Sequence, residues 1–187
     1  MEQQFSPTLI IIPSQYVPVL LKLHEKLESK HVDWALSGDL GEALNGVRVR
    51  PDCVEIVTSK EGAEQIQESV KEFNPEPVAY RVQRLARNAL VGNVEQPLYA
   101  GSHYFEFQID GIKIKVNGDL QFKVNDWGWG DKFEFTPVWV YIVNKKTAVV
   151  PLPVKLELYQ NLGWSDKVEK INLVITNRER LFHQRVR

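Results

Sequence analysis

The chain of 187 residues carries 23 Lys and Arg against 24 Asp and Glu, so its formal net charge is -1. A hydrophobic share of 43% and a charged share of 25% are typical of a globular domain, and the length suits one well-buried core but is short for two. Because the charge is balanced, the surface has no overall basic field, and nucleic acid is not an expected partner.

The single cysteine and the lack of a long apolar segment exclude further classes of protein. Cys53 is the only cysteine, which excludes an internal disulfide framework and a cysteine-built zinc site. The longest apolar run, residues 9–13, is too short to span a bilayer. The chain starts Met-Glu-Gln-Gln, without the basic residues that precede a secretory apolar segment. We therefore expect a cytoplasmic protein without membrane contact.

The first part of the chain alternates strands with helices. Strand patterns cover residues 8–12, 32–36 and 53–58. Apolar residues recur at helical spacing at Tyr16, Leu20, Leu23 and Leu27, and again at Ala63, Ile66, Val70 and Phe73. Ser14 and Ser59 are the predicted N-caps of these two helices. A short helix is predicted between them over residues 42–45, ending at Gly46.

Strands dominate from about residue 78 to residue 150, and two helices follow. Residues 104–109 and 112–116 flank Asp110-Gly111, a strong hairpin signal. A second hairpin is predicted from strands over residues 133–143 and 147–150 that flank residues 144–146. Helical patterns cover residues 153–162 and 165–176. These elements predict one α+β domain over residues 1–187, with an α/β core and antiparallel strands over residues 1–150 and a helical part over residues 151–187.

Residues 36–58, LSGDLGEALNGVRVRPDCVEIVT, carry the most informative motif. Ser37-Gly38 makes a turn between a strand and a helix, Arg48 and Arg50 follow, and Cys53-Val54-Glu55 lies on the next strand. This order resembles the nucleotidyltransferase superfamily, which holds DNA polymerase β and the aminoglycoside and lincosamide nucleotidyltransferases. In that superfamily a Gly-Gly or Gly-Ser pair opens a helix, and Asp-x-Asp follows on the next strand.

The resemblance implies a mixed sheet flanked by helices and a site for ATP or another nucleoside triphosphate. Backbone N–H groups of the glycine turn would face the phosphates, and carboxylates two apart on a strand would share Mg²⁺. The implied nucleotide-binding residues in this segment are Ser37, Gly38, Arg48 and Arg50. The candidate catalytic carboxylates are Glu55, Asp39 and Asp119. An ordinary strand-to-helix turn with an N-cap explains the same glycine pattern without any ligand.

Two departures from the family pattern affect the metal site. Cys53 stands at the first metal-binding Asp, and a thiol is a poor ligand for Mg²⁺. The third acid of the family lies on a later central strand, where Lys115 is the predicted equivalent, with Asn117 and Asp119 as offset alternatives. If Lys115 takes that place, a cation stands where the metal would be, and it can pair directly with Glu55.

Other acidic residues give alternative assignments. Asp52 can join Glu55 as a metal ligand, although residues three apart on a strand point to opposite faces unless a bulge intervenes. Asp39 follows Gly38 directly, where its negative charge would repel a triphosphate unless a metal lies between them.

The C-terminal helices carry a second resemblance, to the small nucleotidyltransferases. Within residues 151–171, Lys155 matches a helical lysine of that group, and Gly163, Asp166 and Glu169 match a glycine and two acids that follow it. The Trp-Ser pair after the glycine stands where Arg or Lys is usual. The resemblance implies that Lys155 contacts the nucleotide and Asp166 a substrate or partner.

Trp127 and Trp129 alternate with glycines in the segment DWGWGD. Their indoles either stack on a substrate or partner, or fold back to complete the core.

These observations favour a nucleotidyltransferase-like protein that binds nucleotide and whose Mg²⁺-dependent transfer is degenerate or lost. One alternative is an active nucleotidyltransferase that modifies a small molecule or a protein. The other is a non-enzymatic interaction protein, such as an antitoxin-like partner of a second protein.

Overall fold

The computed structural model describes residues 12–185, which form nine β-strands and five α-helices. The strands are β1 (Trp34–Ser37), β2 (Val54–Thr58), β3 (Ala79–Arg84), β4 (Ala89–Val91), β5 (Val94–Gln96), β6 (Leu98–Ile109), β7 (Ile112–Val124), β8 (Val138–Ile142) and β9 (Lys145–Val149). The helices are α1 (Tyr16–Leu27), α2 (Gly38–Leu44), α3 (Lys60–Ser69), α4 (Leu152–Asn161) and α5 (Ser165–Arg185). The predicted α+β class is confirmed.

Seven strands form one mixed sheet, in the order β3-β6-β7-β2-β1-β9-β8, while β4 and β5 pair separately. Strand β2 is parallel to β7 and antiparallel to β1, and β1 is parallel to β9. Because successive residues of a strand face opposite sides, each central strand contributes to two layers. On β2, Val54 and Ile56 are fully buried on one face, and Glu55 lies on the other.

Helices α1 and α3 cover the first of these faces. The apolar residues predicted to line the two helices are buried in one core cluster: Tyr16, Leu20, Leu23, Leu27, Ala63, Ile66 and Val70. Phe73 is partly buried beside them. The N-cap of α3 is confirmed, since Ser59 accepts a 2.9 Å hydrogen bond from the Gly62 N–H. The predicted cap at Ser14 is not, because α1 has Gln15 at its N-cap and no side-chain cap bond.

The opposite face carries smaller side chains and is covered differently along its length. Ala35, Val57 and Ala148 meet Phe133 and Phe135 of the segment that joins β7 to β8. Towards the carboxyl end of β1, helices α2, α4 and α5 pack together instead. The helical C-terminal part is therefore confirmed, and α5 extends beyond the predicted end at residue 176.

Three predicted elements differ in the structure. The short helix begins at Gly38 rather than at residue 42, and residues 133–137 precede β8 without forming a strand. The first hairpin turns at Asp110-Gly111 as predicted, whereas the second turns at residues 143–144 rather than 144–146. There Val143 has a φ of 58°, unusual for a β-branched residue. The strand predicted over residues 8–12 lies outside the described residues except for Ile12.

Within residues 12–185, no helix combines the length and apolar character needed to cross a membrane.

Candidate functional site

Three predicted site residues form a row across neighbouring strands. Ser37 on β1 pairs with Glu55 on β2, and Glu55 pairs with Lys115 on β7. The parallel register thus places Lys115, rather than Asn117, directly beside Glu55, since Asn117 pairs with Val57. The central sheet brings the residues of the Cys-Val-Glu motif next to a lysine.

The two charged groups of this row are neighbours but not in direct contact. In the part of the chain that the structure describes, the ion pairs do not include one between Glu55 and Lys115. Burial lowers the pKa of the Lys115 ammonium, but Cys53, Glu55 and Asp52 nearby outweigh it and hold that pKa above its usual range. Lys115 therefore stays positively charged at neutral pH.

Gly38 packs against the Glu55 carboxyl group. Its φ of 57° lies in the left-handed region that glycine adopts without strain. A Cβ atom at this position would lie 2.7 Å from Glu55 Cδ and 2.8 Å from Oε2. The left-handed backbone therefore favours glycine at this turn, and a larger residue would displace the Glu55 carboxyl group.

Cys53 is buried at the start of the same motif, and its thiol donates a 3.8 Å hydrogen bond to Glu55 Oε1. Burial, reinforced by a hydrogen bond with Asp52 and the charge of Glu55, raises the pKa of the thiol to about 12. The side chain is therefore a neutral hydrogen-bond donor to Glu55 and not an anionic ligand.

This protonation state predicts a slow reaction of Cys53 with iodoacetamide. Only the thiolate reacts, and at pH 8 we expect alkylation about 30-fold slower than in the urea-unfolded chain, after allowing for the greater nucleophilicity of a high-pKa thiolate. Mass spectrometry of a time course measures both rates, and the unfolded chain is the internal control. Equal rates in the folded and unfolded protein would contradict a buried neutral thiol.

Beside this row, α2, α4 and α5 enclose a cluster of charged side chains that the sequence did not reveal as a unit. Glu42 is inaccessible to solvent and accepts a hydrogen bond from the Tyr159 hydroxyl. Lys167 Nζ donates to Glu42 at 2.9 Å and to Asp39 at 2.6 Å. Lys155 Nζ lies 3.8 Å from the Glu42 carboxylate and 3.4 Å from the Tyr159 hydroxyl oxygen.

Electrostatics within this buried cluster favour internal pairing. Burial lowers the pKa of Lys155, and the negative charges of Glu42 and Glu55 oppose the shift. Burial acts in the same direction on Lys167, but its hydrogen bonds to Asp39 and Glu42 outweigh it and keep the pKa raised. Burial raises the pKa of Tyr159, and the negative charge of Glu42 raises it further, so the phenol stays protonated. Inside the protein Glu42 thus faces two lysines, while Asp39, whose side chain is 42% exposed, pairs with Lys167 at the margin of the cluster.

The remaining acidic candidate on β7 lies elsewhere. Asp119 is four residues beyond Lys115, about 13 Å along an extended strand. Its carboxylate binds Lys132 Nζ at 2.7 Å. The structure therefore does not bring Asp119 to Glu55 and Gly38.

The predicted basic residues and the alternative metal ligand lie between α2 and β2. Arg48, Arg50 and Asp52 are all exposed there. Asp52 is close enough to Cys53 and Lys115 to influence both electrostatically.

The predicted substrate or partner residues lie in two exposed places. Trp127 is 58% exposed, and Trp129 is 37% exposed with its indole against Gly101, where a Cβ would lie 2.9 Å from the ring. The indoles therefore do not complete the core. Asp166 is exposed on α5 and forms an ion pair with Arg87.

A large cavity lies away from this site. Its volume is about 960 Å³, and Trp34, Phe133, Phe135 and Trp139 are among its lining residues. The lining includes Asp119 but not Glu55, Lys115 or a residue of the buried cluster. The cavity lies towards the amino end of β1.

The residues present do not match a Mg²⁺ site. Mg²⁺ takes six oxygen ligands, whereas this row offers one carboxylate, at Glu55, beside a neutral thiol and an ammonium group. Asp39 and Glu42 are already bound by Lys167. Among the described side chains, residues 12–180, no group of three His, Cys, Asp or Glu is placed to hold a metal ion.

Comparison with known proteins finds one matching family profile and similar solved structures. The profile of the aminoglycoside-2″-adenylyltransferase family matches residues 19–156. A candidate nucleotidyltransferase of known structure from Thermotoga maritima is 28% identical, with a TM-score of 0.63, over 89% of this chain and 96% of that one. No curated sequence is similar enough to count as a relative.

A second solved structure shares the fold at much lower identity. ANT(2″)-Ia, in complex with adenylyl-2″-tobramycin, is 9% identical, with a TM-score of 0.52, over 88% of this chain and 90% of that one. The likeness covers both the strand-rich part and the C-terminal helices.

Proposed function

Because the chain belongs to the aminoglycoside-2″-adenylyltransferase family, we propose that it binds a nucleoside triphosphate without catalysing Mg²⁺-dependent nucleotidyl transfer. The observation that carries this proposal is the position of Lys115, which lies directly opposite Glu55 in the register of the parallel strands β2 and β7. Family membership supports a nucleotide ligand, and the charges of the row argue against a metal.

Lys115 can replace part of the electrostatic role of a metal. The oxygens of a triphosphate need neighbouring positive charge, and an ammonium group provides it with hydrogen bonds that are stronger than neutral ones. The raised pKa of Lys115 keeps this group charged at neutral pH. Metal-free ATP or GTP is therefore the ligand that this site would take.

The buried cluster supports the loss of transfer. Any metal near Gly38 would have to draw Asp39 or Glu42 away from Lys167, whose ammonium group hydrogen-bonds both carboxylates. A doubly charged cation would also lie close to Lys115 and be repelled by it. Both effects oppose the metal-assisted activation of an attacking hydroxyl group.

Calorimetric titration with ATP and GTP tests the proposal, once with Mg²⁺ and once with a chelator. We expect ATP and GTP to bind more tightly with the chelator than with Mg²⁺, because Mg²⁺ bound to the phosphates would lie close to the positive charge of Lys115. With the chelator, Lys115→Met should lose about tenfold in affinity, because a charged hydrogen bond is removed. Lys22→Met is the matched control: it removes the same charge from α1, on the other face of the sheet, where Lys22 pairs with Asp110.

Binding that requires Mg²⁺ would overturn the metal-free proposal and restore an active nucleotidyltransferase as the better explanation. The complex in the ANT(2″)-Ia structure suggests the acceptor to examine then. Incubation with ATP, Mg²⁺ and tobramycin, read by mass spectrometry, would show an adenylylated product if transfer survives. No binding under either condition would favour a non-enzymatic interaction protein.

A further inference from the structure

Strand β8 is one edge of the seven-stranded sheet, and β9 is its neighbour. On one face, Val138 and Val140 pack against the core that α1 covers. On the other face Trp139 is 48% exposed and Tyr141 is 69% exposed. Val143, in the turn that follows, is 71% exposed. An edge strand thus presents large apolar side chains to the surroundings.

The two edges of the sheet differ in charge. Strand β3, at the other edge, contains Arg81 and Arg84, and charged residues of this kind discourage pairing with another chain. Strand β8 reads VWVYI and has no charged residue. Lys146, on the neighbouring strand β9, places its Nζ 4.6 Å from the Trp139 ring centroid.

Within residues 12–185, no strand pairs with the outer side of β8, so its backbone groups are available at this edge. The hairpin turns over two residues, so Ile142 and Lys145 close it as a hydrogen-bonded pair. Hydrogen-bonded and non-hydrogen-bonded pairs alternate along an antiparallel ladder. The N–H and C=O groups of Trp139 and Tyr141 consequently point away from β9, towards the free edge.

We propose that two copies of this chain associate through antiparallel pairing of their β8 strands about a two-fold axis at Val140. This register places each Trp139 opposite Tyr141 of the second copy, twice in the dimer. On the other face it places Val138 opposite Ile142. The backbone groups left free at Trp139 and Tyr141 then form the inter-chain hydrogen bonds, and the two sheets become continuous.

The symmetry of β8 is the reason for choosing a second copy rather than another partner. On each side of Val140 the strand has an aromatic residue followed by an aliphatic one, so two antiparallel copies of β8 are complementary. Aromatic cross-strand pairs stabilise antiparallel strands, and no like charges are opposed. A two-fold interface needs this self-complementarity.

The extent of the surface sets the expected affinity. A standard stable interface buries about 800 Å² on each partner, and a five-residue strand edge provides less. We therefore expect a dissociation constant of about 1 to 100 μM. Since Trp139 also lines the 960 Å³ cavity, Tyr141 of the second copy would extend the wall of that cavity.

Sedimentation velocity from about 1 μM to about 1 mM tests the proposal on the full chain. The wild type should shift from monomer to dimer in this range, and Trp139→Lys and Tyr141→Glu should each weaken association about tenfold or more, since each removes both aromatic pairs. An equimolar mixture of the two variants should recover association, because one aromatic pair and one Lys–Glu pair then form. Tyr80→Lys, at a position 50% exposed on β3, is the matched control and should dimerise like the wild type.

A wild type that stays monomeric over the whole range overturns the proposal. A mixture that associates no better than the separate variants overturns the two-fold register. Circular dichroism of every variant confirms that it is folded, which is expected because the substituted side chains are exposed.

Discussion

Glu42→Ala should lower the free energy of unfolding by about 3 to 5 kcal/mol, the usual effect of removing one partner of a buried ion pair. The Glu42 carboxylate is inaccessible to solvent and joins Tyr159, Lys155 and Lys167. Without it, Lys155, which is 4% exposed, has no close carboxylate partner. Its ammonium group then either stays charged and unpaired or loses its proton. Urea denaturation followed by circular dichroism measures the change.

Two further variants separate the buried pair from a general effect of glutamate removal. Glu25→Ala removes an exposed glutamate on α1 and should change stability by less than about 0.5 kcal/mol. Adding Lys155→Met to Glu42→Ala should recover part of the loss, since the unpaired charge disappears. If Glu42→Ala is as stable as Glu25→Ala, Glu42 does not hold the three helices together.

Restoring acids at three positions should create a divalent-cation site. We expect the triple variant Cys53→Asp, Glu55→Asp, Lys115→Asp to bind Mn²⁺ at least about tenfold more tightly than the wild type. Cys53 directly precedes β2 with its thiol 3.8 Å from the Glu55 carboxylate, and Lys115 lies opposite Glu55 on β7, so three carboxylates would lie close together. Calorimetry with Mn²⁺ measures the affinity independently of any catalytic activity.

The matched control for this gain carries amides in place of the acids: Cys53→Asn, Glu55→Gln, Lys115→Asn. It removes the same lysine and thiol but adds no negative charge, so it should bind Mn²⁺ no better than the wild type. A wild type that already binds Mn²⁺ as tightly as the acidic variant would show that Lys115 does not exclude a metal.

Local signals in the sequence identified the elements that position the site. The cap at Ser59 and the turn at Asp110-Gly111 depend on neighbouring residues alone, and both are confirmed. The strand pattern that places Glu55 on β2 is also local, and that strand forms within the predicted residues. The register that sets Lys115 beside Glu55 was predicted through the family resemblance, because the pairing of distant strands has no local signal.

The buried cluster was missed because it forms between elements distant in the chain. Lys167 reads as an ordinary surface lysine of a polar helix, and it meets Asp39 and Glu42 only when α5 packs on α2. A partial signal exists in the spacings, since Asp39 and Glu42 are three apart and Lys155 and Tyr159 four apart, each pair on one helical face. Spacing alone does not show that these faces meet.

In the second hairpin the structure departs from what local turn preferences predict. Turn chemistry favours asparagine over a β-branched residue, so the sequence predicted a turn over residues 144–146. The structure turns one residue earlier, with Val143 at positive φ. The gain is on the strand, because this register keeps Val138 and Val140 on the core face.

The order of strands in the sheet also constrains how the chain can fold during synthesis. Strand β1 lies between β2 and β9, and its Leu36 pairs with Val149 from the far end of the sheet-forming region. A growing chain can form the β6–β7 hairpin early, but β1 keeps an open apolar edge until β9 leaves the ribosome. Such non-local pairing folds slowly and exposes strand edges meanwhile. Nascent chains that stop before β9 should therefore depend on chaperones far more than the completed protein.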